Sequence, residues 1–245
     1  MAAKNHECLT LALAEVPRTP PGSIGRPDLV IGGIGCASEL NDGQTGRNVA
    51  LMGFAVIAKE IANDPTLLGD DRSGAWMAVV DAYDALGDKV AKQEASLAWV
   101  AFLESAAANA KTPEARAVFD THRMMAYLAV GRGADAVTAL ERSERDFPDD
   151  YNPPARKANA LMELGRLDEA VVAINRALTL VYGPRRLRVR AIEASIYEKR
   201  KEIPAARNAL ESAIKEGLAL PEAQRPTKQI ATLAKRLAAL QVETP

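Results

Sequence analysis

Apolar residues in the second half of the chain recur at helical spacing, and they recur as a phrase. Between Leu167 and Leu180, residues Ala170, Ala173, Ile174, Ala177 and Leu178 fall at i, i+3, i+4, i+7 and i+8, which places them on one helix face. Asp168 and Glu169 stand at the start of that helix, where carboxylates suit the positive end of the dipole. Gly165 precedes them at the end of another helical stretch, and a glycine there permits a left-handed cap. Upstream, Tyr127 and Val130 lead to Gly131, then Ala136, Ala139 and Leu140 carry a stripe, and Pro148 stops the helix after Phe147. Gly131 and Gly165 are 34 residues apart, as are Ala136 and Ala170. A third copy, with Ala206, Leu210 and Ala213, has Lys201 where the glycine stood, and the 36 residues from Ala170 to Ala206 reflect two extra residues in "LVYGPRR". Self-similarity at this period predicts an all-α array of helical hairpins that bury their apolar faces on one another.

The pattern weakens toward the N-terminus. Trp76, Val80, Tyr83 and Gly87 fit the first helix of a further hairpin, but Gly87 and Gly131 are 44 residues apart, so longer helices or a longer loop through "NAKTPEAR" are needed. Thr112-Pro113 reads as a helix start in that region. Repeats are therefore expected from about 72 to 217, followed by an amphipathic capping helix with Ile230, Leu233, Leu237 and Leu240. Residues 1–71 form a separate N-terminal helical segment packed on a repeat array at 72–245. In that segment two short helices are joined by the turn-rich "PRTPPGSIG". A third helix has Val49, Met52, Val56 and Ile57 on one face, with Pro65 just beyond it.

Composition narrows the function classes. Hydrophobic residues make up 48% but aromatics only 4%, so Ala, Leu and Val supply the core, a mixture suited to close helix contact. The net charge of −1 offers no whole-chain attraction for nucleic acid or an anionic membrane. No apolar run is long enough to insert in a membrane as a helix. As written, the N-terminus lacks an export signal, which reads as a cytoplasmic chain; a fragment of an exported protein would lie outside the cytoplasm.

On the residues quoted above, the chain resembles the tetratricopeptide-repeat family. The small residue within each first helix is matched by Ala158 and Ala194, the aromatic near its end by Tyr127 and Tyr197, and the closing proline by Pro148. Departures are Met124 at a small position and Pro154 and Lys157 at apolar ones. The resemblance implies a right-handed solenoid that binds a peptide or helix of a protein partner in a groove lined by first helices. More narrowly, "DFPDDYNPPAR", "RALTLVYGPRRLRV" and two single cysteines resemble the helical region behind a thioredoxin-like domain in some bacterial proteins. That alternative makes the chain an accessory region of a thiol–disulfide oxidoreductase, without its catalytic domain or CxxC motif.

Candidate chemistry is sparse. Gly33-Ile34-Gly35 follows an apolar run, as in a dinucleotide-binding loop, but Ser38 occupies the third glycine position, so close helix contact is the better reading. Cys8 and Cys36 either form a disulfide across the first two helices or remain two buried thiols. His6 and His122 are too far apart in sequence for a metal cluster, and His122, near Asp120, reads as a helix-start residue. Asp70-Asp71 and Asp149-Asp150 precede helices and suit their N-termini. No nucleophile motif is present, so a non-enzymatic scaffold without cofactor or metal is expected. Arg185, Arg186, Arg188 and Arg190 cluster near a helix start, where a solvated face with Glu193 as partner competes with oxyanion binding. Arg156, Asn159, Arg188 and Arg190 are the expected polar anchors for a peptide.

Overall fold

The structure is a computed structural model that describes residues 2–23, 25–40 and 45–242. Among those residues the chain consists of helices and turns, with no strand. It divides into two compact units, Met1–Gly131 and Arg132–Pro245. The first holds α1 (Ala2–Glu15), a 3-10 turn at Val16–Arg18, α2 (Gly25–Ser38), α3 (Thr45–Asn63), α4 (Gly69–Leu86), α5 (Lys89–Asn109), α6 (Pro113–Ala117) and α7 (Asp120–Ala129). The second holds α8 (Gly133–Asp146), α9 (Asn152–Glu163), α10 (Leu167–Leu180), α11 (Arg185–Lys199), α12 (Ile203–Leu218), a 3-10 turn at Glu222–Gln224 and α13 (Thr227–Val242). The boundary expected at 71/72 falls inside the first unit, in the first turn of α4.

In the second unit each helix packs on the next, and α11 also touches α9 and α13, so α9, α11 and α13 form a row. The hairpin turns explain the recurring phrase. After α9, the amide of Gly165 donates to the Met162 carbonyl (3.2 Å) and that of Arg166 to the Leu161 carbonyl (2.9 Å), with Gly165 at φ 72. After α11 the same pair runs from Lys201 to Glu198 and from Glu202 to Tyr197, with Lys201 at φ 62. This paired closure needs one residue in the left-handed region, so Lys201 adopts the glycine's conformation against the steric preference of a Cβ.

The stripes read from the sequence are buried: Ala170, Ala173, Ile174 and Ala177 in α10, and Ala206, Leu210 and Ala213 in α12. Helix α13 closes the unit by packing Leu233 and Leu240, with Ile230 and Leu237 beside them, on a cluster that includes Leu187, Ala194 and Leu210. In the first unit the 44-residue interval has two sources, a 21-residue α5 and the inserted α6. Pro113 opens α6, and the Thr112 hydroxyl accepts from the Ala115 amide (3.2 Å).

The glycine-rich segment is helical as α2, which removes the strand–turn–helix setting that a nucleotide loop requires. A Cβ on Gly33 would lie 2.8 Å from the Phe54 ring and 3.0 Å from the Ala12 Cβ, so its place is set by close contact with α1 and α3. Helix α3 differs from expectation. Its buried face is Ala50, Leu51, Phe54, Ala55, Ala58 and Ile61, while Val49, Met52 and Val56 are 64%, 59% and 57% exposed. The segment is apolar all round, so periodicity could not choose which face the neighbours α2 and α4 would cover.

Candidate functional site

The expected anchors lie on the first helices of the second unit. In α9, Arg156, Asn159 and Glu163 fall at i, i+3 and i+7 and share a face; in α11, Arg188, Ser195 and Lys199 do the same at i, i+7 and i+11. The two faces meet where Lys199 Nζ donates to Glu163 (2.9 Å). Helix α13 reaches the same side of α11 through Arg236, which donates to Glu198 (3.0 Å), the Ser195 hydroxyl (2.8 Å) and the Ala191 carbonyl (3.2 Å). Toward the C-terminal ends of α9 and α11, the polar groups of this row therefore satisfy one another.

Earlier in α9 and α11 the row is different. Among the described residues no hydrogen bond or ion pair engages Arg156, Asn159 or Arg188, and Arg188 is exposed. Two guanidinium groups thus sit near helix N-termini, whose partial positive charge adds to theirs and favours an anionic ligand.

Arg190 is placed otherwise. Its guanidinium donates to Glu193 (2.9 Å) and to Glu216 of α12 (3.1 Å), and Arg186 donates to the same Glu216 carboxylate (3.0 Å) and to the carbonyls of Leu178 and Val181. Burial would raise the Glu216 pKa, but the bonds from Arg186 and Arg190 outweigh it and hold the carboxyl below its ordinary range. For Arg190, burial works against the charge, and the two glutamates more than restore it. The arginine cluster thus splits between internal ties at Arg186 and Arg190 and the exposed Arg188 and Arg185. The Arg185 guanidinium lies 5.6 Å from the centre of the Tyr182 ring. The Arg190–Glu193 pair follows from i+3 spacing, whereas Glu216 lies 26 residues further on and carries no local signal.

The turn sequences "DFPDDYN" and "LVYGPRR" come together around a cleft of about 550 Å³ whose lining includes Asp149, Tyr151, Tyr182 and Arg185. Asp150 accepts from the Asn152 amide (2.9 Å) at the start of α9.

His122 is a tie in the first unit. The buried Trp99 Nε1 donates to the Ser73 hydroxyl (2.8 Å), and because an indole N–H can only donate, the serine is free to give its own proton to His122 Nδ1 (2.8 Å). Burial lowers the His122 pKa against the opposing charge of Asp70, which favours the neutral ring this bond requires. Ser73, with no exposure, cannot act as a nucleophile on an outside substrate; the trio joins α4, α5 and α7. Cys8 and Cys36 are joined by a disulfide between α1 and α2, with Cα atoms 6.1 Å apart. Among the described residues no cluster of His, Cys, Asp or Glu has the geometry to hold a metal ion, and no helix is long and apolar enough to cross a membrane.

No family model matches the chain, and no curated protein matches it. Among solved structures it is similar to the TPR2AB domain of yeast Sti1 in complex with pHSP90, at 17% identity over 86% of this chain and 85% of that one, with a TM-score of 0.42. It is similar to TTC0263, a thermophilic TPR protein of Thermus thermophilus, at 16% identity over 97% and 99%, TM-score 0.47. It is also similar to MamA of AMB-1, at 19% identity over 79% and 98%, TM-score 0.41. What defines the fold is internal to the chain: paired helices, a row of first helices, and one turn geometry shared by Gly165 and Lys201. On that basis the chain is a tetratricopeptide-like, all-α helical-repeat protein.

Proposed function

We propose that this protein is a non-enzymatic adaptor that binds an acidic peptide or helix of a partner protein along the row formed by α9 and α11. One observation carries the reading: in a row where Glu163 is paired with Lys199 and Glu198 with Arg236, Arg156, Asn159 and Arg188 make no hydrogen bond or ion pair among the described residues. The arginines recognise carboxylates, bidentately where geometry allows, and the Asn159 amide can hold a peptide group of an extended ligand. Arg190 contributes by fixing α11 on α12 rather than by touching the ligand. Repeats at 72–245 present this row, with 1–71 as an N-terminal helical extension.

The test is fluorescence anisotropy with three labelled twelve-residue peptides, one rich in Asp and Glu, one rich in Lys and Arg, and one neutral. The acidic peptide is expected to bind, and to weaken at least tenfold in Arg156→Glu/Arg188→Glu with an unchanged melting curve. Equal binding of all three peptides, or an affinity indifferent to the double reversal, would remove the assignment.

A further inference from the structure

The face of α3 that the fold leaves uncovered is the strongest unexplained surface of the first unit. From Val49 to Ala58 the helix has no polar side chain, yet Val49, Met52 and Val56 face solvent. Beside them a cleft of about 320 Å³ runs along α3, lined by Gly46, Val49, Ala50, Gly53 and Ile57 on one wall and by Leu13, Val16 and Pro17 on the other. A Cβ on Gly46 or on Gly53 would meet nothing within 4 Å, so the backbone itself is open to approach there. A contiguous apolar surface of this kind marks an interaction site rather than scattered exposure.

We infer that this face binds a second copy of the same chain, α3 against α3 in antiparallel orientation about a two-fold axis at Gly53. The arrangement of charge selects this occupant. In such a pairing, a residue a given number of positions after Gly53 meets the residue the same number before it. Gly53 meets itself, so the backbones approach closely at the crossing point. Ile57 of one copy meets Val49 of the other, joining apolar to apolar. Glu60 then meets Gly46, in the first turn of the opposing helix. Glu60 is exposed, lies on the same helix face as Gly53 and Ile57, and has no ion-pair partner among the described residues. The unpaired amides of a helix N-terminus carry partial positive charge, so each copy's carboxylate is set against the complementary end of the other's helix. An isologous interface needs one patch complementary to itself, and this stripe has that property, apolar at its centre and oppositely charged at its ends.

The test is sedimentation velocity of the full chain from about 1 to 100 μM, with thermal melts alongside. The wild-type chain is expected to pass from monomer to dimer, and Val56→Glu and Met52→Glu to weaken the dimer at least tenfold without lowering the melting point. Glu60→Lys is expected to weaken it less, with a matching loss of salt sensitivity. Gly53→Cys treated with a short bismaleimide is expected to give a covalent dimer, because position 53 meets itself, and Val90→Cys, exposed on α5, is not. A wild-type chain that stays monomeric throughout overturns the proposal and leaves the face to a different partner. So does a dimer indifferent to Val56→Glu and Met52→Glu, or one cross-linked through position 90 rather than 53. The peptide measurements on Arg156 and Arg188 are independent of these outcomes.

Discussion

Replacing Ser73 by alanine should destabilise the first unit far more than the loss of one hydroxyl on a surface. Ser73 has no exposure and Trp99 is 2% exposed, so water cannot replace the lost acceptor for the indole N–H. An unsatisfied buried donor costs about 1–3 kcal/mol, and the half-exposed His122 loses a bond whose net worth is about 0.5–1.5 kcal/mol. The void left by one oxygen is smaller than a methyl group and adds little. The two sum to about 1.5–4.5 kcal/mol, which at a typical urea slope of about 2 kcal/mol per molar moves the midpoint down by about 1–2 M. Both tryptophans of the chain, Trp76 and Trp99, lie in the first unit, so tryptophan fluorescence excited selectively follows that unit. In a Trp99→Phe background, where the donor is already gone, Ser73→Ala should cost less than half as much, because residues in contact are not additive. A stability within about 0.5 kcal/mol of wild type, the range of ordinary surface changes, or full additivity of the two substitutions, would refute the reasoning.

Three further outcomes follow from the same geometry. Lys201→Gly should raise the melting point of the second unit by about 1 kcal/mol of stability, since a Cβ in the left-handed region costs about 1–2 kcal/mol, less the glycine's greater entropy when unfolded; a lower melting point contradicts the shared-turn reading. The Glu216 carboxyl, held below its ordinary value of 4.5, contributes stability that is present above that pH and lost as pH falls through its lower folded value. Circular dichroism melts should therefore show Glu216→Gln less stable at pH 7 and converging on wild type under acid, and a gap independent of pH would count against it. Reduction of the Cys8–Cys36 disulfide, which closes 28 residues, should lower the stability of the first unit by about 3–4 kcal/mol in the chain-entropy model. Two alkylatable thiols in unreduced protein made under oxidising conditions would remove that bond from the account.

Much of the second unit was legible because its rules are local. The stripe Ala170–Ala177, the acids at the start of α10, the proline after α8 and the turn at Gly165 each follow from contacts within a few residues. Even Lys201 was identifiable as the turn residue, since the register placed it where the glycine should be. In the first unit the periodicity of α3 pointed to the face of Val49, Met52 and Val56, but the stretch from Val49 to Ala58 is apolar on every side and the positions of α2 and α4 decided that Leu51, Phe54 and Ala58 were buried instead. The expected anchors Arg156, Asn159 and Arg188 follow from residue types at first-helix positions, whereas their lack of partners among the described residues does not.

The sequence by itself determined the helices, their pairing and the period, because hydrophobic spacing, capping and turn chemistry act over a few residues at a time. The tertiary structure alone decided which charges are available. It joined Arg186 and Arg190 to Glu216, Arg236 to Glu198, and His122 to Ser73, across separations of 26 to 49 residues that no spacing rule reaches. Exposure belongs to the same class of fact: a guanidinium or a valine is free or covered according to what the rest of the chain brings to it. That is why Arg188 is exposed while Arg190, two residues on, is held by Glu193 and Glu216.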